Sequence, residues 1–362
     1  MGQQSVGNLL IRADASSQIG SGHVMRCLAL AQAWQDAGGE AIFLMAESTP
    51  AIRGRLAAEA CEVVSIGVPV GSAEDAHQSA EFAQRYEAEW VVIDGYRFNS
   101  AFQRQIRSAG HRLLCVDDEA ACAEYVADLV LNQNLNARAS WYRAREEEHL
   151  LVGPKFCLLR REFARWRDWK RTIGSDARRI FITLGGSTPV ELGIRVIEAL
   201  ELLPVDDMSA VFVVGGSTRN VAPLQQYARR SKVKISFTTD VADMAAMMSE
   251  ADAAISAAGS TCWELCMLGL PSVLIDVAPN QTPIAREMHR QGCALHAGSA
   301  ERVTAEEIAQ AVNTLMGSRE TRESFSQKGR VFVDGLGADR VLAAMLRFAP
   351  HSVSAAAQGV LA

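Results

Sequence analysis

The sequence predicts an α/β protein made of two doubly wound parallel sheets in series, facing one cleft. Three observations carry that expectation. Strand-like apolar runs alternate with helical stretches from residue 8 to 134, the alternation stops between Glu146 and Lys170, and a second alternating series runs from 178 to 277. Such alternation builds parallel sheets covered on both faces, and their ligands collect at the carboxyl ends of the strands. At 362 residues the chain is long enough for two domains with separate cores. The expected division is a first domain over 1–150, a crossover over 151–177, a second domain over 178–348 and a flexible tail over 349–362.

The first element is the most informative. In Asn8 to Trp34 an apolar run (Leu9, Leu10, Ile11) gives way to a polar loop with Gly20 and Gly22, then to a helical pattern through Leu28, Ala31 and Trp34. Glycines at a strand-to-helix junction let backbone amides approach an anion, and the helix N-terminus adds partial positive charge. His23 stands at this junction. With an unperturbed pKa of about 6.5 it could serve as a general base, or it could simply hydrogen-bond the loop. The dinucleotide fingerprint G-x-G-x-x-G competes here, with Glu47 as its acidic partner, but Met25 occupies the third glycine position and would spoil close helix packing.

Strands then follow at 41–46, 62–67, 90–95, 112–118 and 129–134, with helical stretches such as 79–86 and 100–110 between them. Polar residues gather at their carboxyl ends: Asp94 and Tyr96, Asp117 and Asp118, Asn132 and Asn134. Each alone could close a strand or cap a helix; together they mark a binding edge. The Asp117-Asp118 pair could hold a divalent cation against a diphosphate, act as a cap, or orient His23. In the crossover, Arg160, Arg161, Arg165, Arg167, Lys170 and Arg171 alternate with Phe163, Trp166 and Trp169, which reads as an amphipathic helix or linker with a solvated charged face.

The second series has strands at 178–186, 210–216, 233–239, 251–258 and 271–277. Gly185, Gly186 and Ser187 end the first of them, and Gly259, Ser260 and Thr261 follow the fourth, just before a helix. Ser260 is a good N-cap type, leaving the amides of Ser260 and Thr261 to face a phosphate. Glu264 lies one turn further on the same face, at the spacing that lets a carboxylate accept both hydroxyls of a ribose. Asn280 and Gln281 open the next helix, where neutral amides suit sugar hydroxyls, N-acetyl groups or a cap. Beyond Val303 the chain reads as helices, with a return helix over 337–348.

Composition excludes several classes. With 22% charged residues and a net charge of -6, the chain lacks the basic balance of a nucleic-acid binder. No apolar run approaches the ~20 residues that span a bilayer, and the start, MGQQSVG, carries no secretory signal, so a cytoplasmic protein without a membrane partner is expected. Eight cysteines without a C-x-x-C pair read as free, mostly buried thiols in a reducing compartment, and no metal or other cofactor is expected.

The segments RADASSQIGSGHVMRCLALA, VVIDGYR, VDDEA, ADLVLNQN, LLVGPKFCLLRREF, ITLGGSTP, ISAAGSTCWELCMLGLPSV, APNQ and DGLGADRV together resemble the nucleotide-sugar hydrolases of pseudaminic acid biosynthesis, which act on UDP-2,4-diacetamido-2,4,6-trideoxy-β-L-altropyranose. The resemblance covers nearly the whole chain apart from its termini. The opening motif is its most specific part; the glycine loops alone fit the wider glycosyltransferase-B (GT-B) superfamily. It implies two Rossmann-like domains with UDP held mainly by the second, His23 as the catalytic histidine, and Gly20 and Gly22 as its glycine loop. It also implies Tyr96 in the sugar pocket, Glu264 on the ribose, and Asn280 and Gln281 as cleft amides. Two positions depart from the pattern: Gly95 where some members carry histidine, and Thr188 where an aspartate is common. The implied reaction is attack of water at the sugar C1 with release of UDP. A GT-B glycosyltransferase and a non-catalytic nucleotide-sugar binder are the alternatives, and the oligomeric state is not readable.

Overall fold

The computed structural model describes residues 6–347 apart from 17, 143–148, 206, 219 and 240; the expected tail over 349–362 lies outside the described residues. The first sheet comprises β1 (Asn8–Ala13), β2 (Glu40–Met45), β3 (Glu62–Ser65), β4 (Ala88–Asp94), β5 (Arg112–Val116), β6 (Leu129–Asn132) and β7 (Leu150–Val152). Helices α1 (Gly22–Asp36), α2 (Pro50–Ala58), α3 (Ala73–Arg85) and α4 (Ser100–Ser108) connect its strands. The order is β3-β2-β1-β4-β5-β6-β7, and every pairing is parallel.

The second sheet comprises β8 (Arg179–Thr183), β9 (Ser209–Val213), β10 (Lys234–Thr238), β11 (Ala253–Ala257), β12 (Ser272–Asp276) and β13 (Leu295–Ser299), in the order β10-β9-β8-β11-β12-β13. Around it run α5 (Val190–Glu201), α6 (Ala222–Ala228), α7 (Met244–Glu250), α8 (Thr261–Met267), α9 (Thr282–Gln291), α10 (Ala305–Met316) and α11 (Arg319–Phe332), and the chain returns through α12 (Gly337–Arg347). None of the described helices is long and apolar enough to cross a membrane.

Both sheets are buried on both faces, which is why their strands read as continuous apolar runs rather than alternating ones. In each sheet the strand order reverses once, between β1 and β4 and between β8 and β11. A crevice opens at such a reversal because the helices on either side leave toward opposite faces. The loops after β1, β4, β8 and β11 therefore carry the site.

Three expectations need correction. Residue 150 does not end the first sheet, because Leu150–Val152 pairs with β6. Helix α12, expected within the second domain, packs Ala338, Val341 and Met345 into the core beneath α1, so the chain's return closes the first domain. The crossover forms no amphipathic helix; it holds a short 3-10 run, Arg161–Trp166, and its cations divide, with Arg161, Arg165 and Lys170 exposed as expected while Arg160 and Arg171 turn inward. Arg161 meets Asp36 and the carbonyl of Gln32, while Arg171 donates to the carbonyls of Met248, Ala251 and Leu268 beside α7 and α8. Buried carbonyl ends need donors, and these arginines supply them.

Candidate functional site

Between the carboxyl edges of the two sheets lies a cavity of about 940 Å³. Every residue expected to bind substrate lines it: Gly20, Gly22 and His23 from the loop after β1, Tyr96 after β4, Gly185, Gly186 and Ser187 after β8, Gly259, Ser260, Thr261 and Glu264 at α8, and Asn280 and Gln281 before α9.

On the first-domain side, Gly20 has φ +75° and its amide bonds the Ser16 carbonyl at 2.9 Å, turning the chain into α1. His23 then sits in the first turn, opposite the end of β4. Its Nδ1 is 2.6 Å from Oδ1 of Asp94, and Arg26 Nη2 is 3.2 Å from the same nitrogen. An ionised carboxylate only accepts, so Nδ1–H donates to Asp94 and Nε2 is the ring nitrogen left for the cleft. Arg26 grips Asp94 through Nε and Nη2 at 2.6 and 2.7 Å, and Asp118 through Nη1 and Nη2 at 2.7 and 2.9 Å. Burial alone would raise the Asp94 carboxyl, but the Arg26 charge and the hydrogen bonds from Arg26 and His23 outweigh it and hold it well below the usual carboxylate range. Asp118 is lowered by Arg26 against burial in the same way. Two permanent carboxylates thus surround one arginine and one histidine.

The hydrogen bonds continue across the cleft. Tyr96 donates to Asp118 Oδ2 at 3.3 Å, and Asn280 of the second domain donates to the Tyr96 hydroxyl at 2.6 Å. The Tyr96 ring stands edge-on to His23 with centroids 5.0 Å apart. Partial desolvation and the Asp118 charge raise the Tyr96 phenol above its ordinary value, so it stays protonated and able to donate.

On the second-domain side the glycines serve close approach. A Cβ on Gly186 would lie 2.2 Å from Ser21 Oγ, and one on Gly215 would lie 2.3 Å from the Gly185 carbonyl. Thr188 is buried between these loops; its Oγ1 accepts from the Gly215 amide at 3.1 Å, and its own amide donates to Thr218. The residue that departs from the family pattern therefore ties the loops together. Ser260 occupies the N-cap position of α8 but its side chain makes no cap bond, contrary to expectation, because its backbone (φ -58°, ψ -24°) is already helical. The first backward bonds there come from Cys262 and Trp263, which leaves the amides of Ser260 and Thr261 at the cleft wall. Glu264 lies beneath them, its Oε1 2.8 Å from Arg160 Nη2 and its Oε2 buried without a hydrogen-bond partner. Gln281 Oε1 accepts from Val277 N at 3.1 Å, so part of that amide shapes its own loop.

The strand-end polar residues divide. Asp94, Tyr96, Asp118 and Asn134 belong to the site network, Asn134 donating to Asp118 at 2.9 Å. Asp117 and Asn132 instead hold the Tyr142 hydroxyl at 2.6 and 2.8 Å. Asp117 and Asp118 thus turn to different partners, and no group of three metal-ligating side chains occurs among the described residues. Arg26 and Arg160 were not anticipated. The first had a signal, its i+3 spacing from His23 on one helix face; the second had none, since its partner is 104 residues away. All eight cysteines are free, and Cys27, beside Asp94 at 3.3 Å, is kept a neutral thiol chiefly by burial.

Two Rossmann-like domains meeting at one cleft define the GT-B architecture, and residues 179–335 match the glycosyltransferase family 28 C-terminal domain. The solved structure of MurG from Acinetobacter baumannii superposes with a TM-score of 0.69 at 21% identity, covering 94% of this chain and 100% of that one. Among curated proteins, the chain is 31% identical over 221 residues to the spore coat polysaccharide biosynthesis protein SpsG of Bacillus subtilis, covering 60% of this chain and 64% of that protein's length. It is 26% identical over 289 residues to the UDP-2,4-diacetamido-2,4,6-trideoxy-beta-L-altropyranose hydrolase of Campylobacter jejuni, covering 78% of this chain and 97% of that protein.

Proposed function

We propose that this protein hydrolyses a UDP-linked 2,4-diacetamido-2,4,6-trideoxyhexose to the free sugar and UDP, as a step toward a nonulosonic acid such as pseudaminic acid. The observation that carries the reading is the His23–Asp94 pair, its free imidazole nitrogen turned to a cleft whose opposite wall is a glycine-rich amide cradle with Glu264 beneath. In this reading His23 Nε2 takes a proton from water, the water oxygen bonds to C1, and the bond from C1 to the diphosphate oxygen breaks. Asp94 stabilises the imidazolium that forms. Amides at Gly259, Ser260 and Thr261 take up the charge developing on the leaving diphosphate. Glu264 accepts from the ribose, and Tyr96 with Asn280 and Gln281 address the acetamido sugar. The hydrolase name carried by the Campylobacter relative supports the substrate class.

The test is product analysis after incubation with the UDP-linked sugar in ¹⁸O-water. Label in the free sugar is the expected result and means attack at C1. Label in UDP means attack at phosphorus and overturns the mechanism. UDP released only when an alcohol acceptor is supplied, with the sugar joined to that alcohol, replaces hydrolysis with transfer, the reaction class of a GT-B glycosyltransferase. Binding of the UDP-sugar without turnover leaves a carrier.

A further inference from the structure

We propose that Arg160 is a positioning residue for nucleotide recognition: it fixes the Glu264 carboxylate with one oxygen committed and the other presented to the ribose. The inference rests on the ribose role given to Glu264 above and adds a residue from outside the second domain. Arg160 lies in the crossover, 8% exposed, with its guanidinium 5.7 Å from the centre of the Phe163 ring. Its Nη2 is 2.8 Å from Glu264 Oε1, an ion-pair contact without hydrogen-bond alignment, while Glu264 Oε2 is buried and has no hydrogen-bond partner. A carboxylate without a neighbouring cation would offer either oxygen to the cleft; with the guanidinium beside Oε1, Oε2 is the oxygen left for a ligand.

The charged groups that face Glu264 are Arg160 and Glu162 from the crossover and Arg55 from α2. Arg160 Nε is 2.9 Å from Glu162 Oε1, and Glu162 Oε2 accepts from Arg55 Nη2 at 3.3 Å. Burial raises the Glu264 carboxyl first, Arg160 opposes that, Glu162 adds to it, and Arg55 opposes it from further away. A protonated Glu264 loses acceptor capacity for the ribose hydroxyls. Burial prevails and the carboxyl stays raised, so Arg160 limits the rise as well as aiming the group, and the chain Glu264, Arg160, Glu162, Arg55 joins the nucleotide wall to a helix of the first domain.

The experiment is equilibrium binding of UDP and of 2′-deoxyuridine diphosphate to the full chain between pH 5 and 9, for the wild type, R160M and E162Q. The titration of the diphosphate itself cancels in ratios to the wild type. In R160M, UDP affinity at neutral pH falls on the order of tenfold. That loss shrinks as pH rises and Glu264 ionises unaided, and the preference for UDP over its 2′-deoxy analogue narrows. E162Q acts in the opposite sense, extending tight UDP binding to lower pH. It is the safeguard should R160M not fold, because it removes an opposing charge rather than the guanidinium. A pH-independent loss in R160M with the 2′-hydroxyl preference intact, or an E162Q profile superimposable on the wild type, overturns the positioning role. Failure of the wild type to bind UDP overturns the nucleotide-sugar reading itself.

Discussion

His23 reaches the cleft with one nitrogen already committed, because Asp94 at the end of β4 is held in place by Arg26 and not by the histidine alone. This separates two roles. Substituting His23→Ala removes the base and lowers turnover by ~10²-fold or more with the fold intact by circular dichroism; retained turnover excludes His23 as the base. Substituting Asp94→Asn leaves the ring in place but lets the amide favour the wrong tautomer, with a loss on the order of 10²- to 10⁴-fold. It also leaves Arg26 partly unpaired in a buried site, a destabilisation of about 3 to 5 kcal/mol. The sign with pH follows from the depressed Asp94 carboxyl. Its stabilisation is fully present above the unfolded-state value of about 3.9 and is lost only as pH falls through the lower folded value. The melting temperatures of wild type and D94N therefore stay apart at pH 5 to 7 and converge only at strongly acidic pH. Convergence already near pH 6 would show that Asp94 is not held charged as the geometry requires.

At the scale of elements, strands and glycine loops were legible because their signals are local. Apolar runs ended at Asp94, Asp118 and Asn134, and glycines marked the turns where the backbone must pass close to another chain segment. The crossover was not legible, since nothing in a local pattern of arginine and tryptophan says that Arg160 will meet Glu264 or that Arg171 will bind four carbonyl groups. Tertiary partners decided that segment. Nor did the sequence distinguish two kinds of glycine. Gly20 is needed for its positive φ, with open space around it, so Gly20→Ala costs roughly 1 to 2 kcal/mol of local strain and little else. Gly215 has ordinary backbone angles but no room, its missing Cβ pointing into the Gly185–Gly186 backbone at 2.3 Å. Gly215→Ala must push the nucleotide-side loop aside, and UDP affinity measured by calorimetry should fall tenfold or more, on the order of the cost of overpacking. Equal effects of the two substitutions on UDP affinity would mean that the β8 and β9 loops do not hold the nucleotide.

Across the whole molecule, the two sheets are joined covalently by the crossover and by the chain's return through α12, which packs under α1. The cleft mouth is spanned differently, by the polar chain from Asn280 through Tyr96 and Asp118 to Arg26, Asp94 and His23. Its outer link is the weak one. Tyr96 is 53% exposed, so the bond from Asn280 competes with water and is worth about 0.5 to 1.5 kcal/mol. An interaction of that size does not hold two domains shut, but it shifts the ratio of closed to open forms by about 2- to 12-fold. Tyr96→Phe keeps the ring against His23 and deletes only the hydroxyl that joins the domains. The expected outcome is a rise in KM for the UDP-sugar within that range, together with a lower fraction of closed molecules by single-molecule energy transfer between labels on α3 and α10. Asn280→Ala should reproduce both effects, and the double variant should be no worse than either single one, because both remove the same bond. Additive losses would mean that the two side chains act separately on the sugar, and that the cleft closes without this bridge.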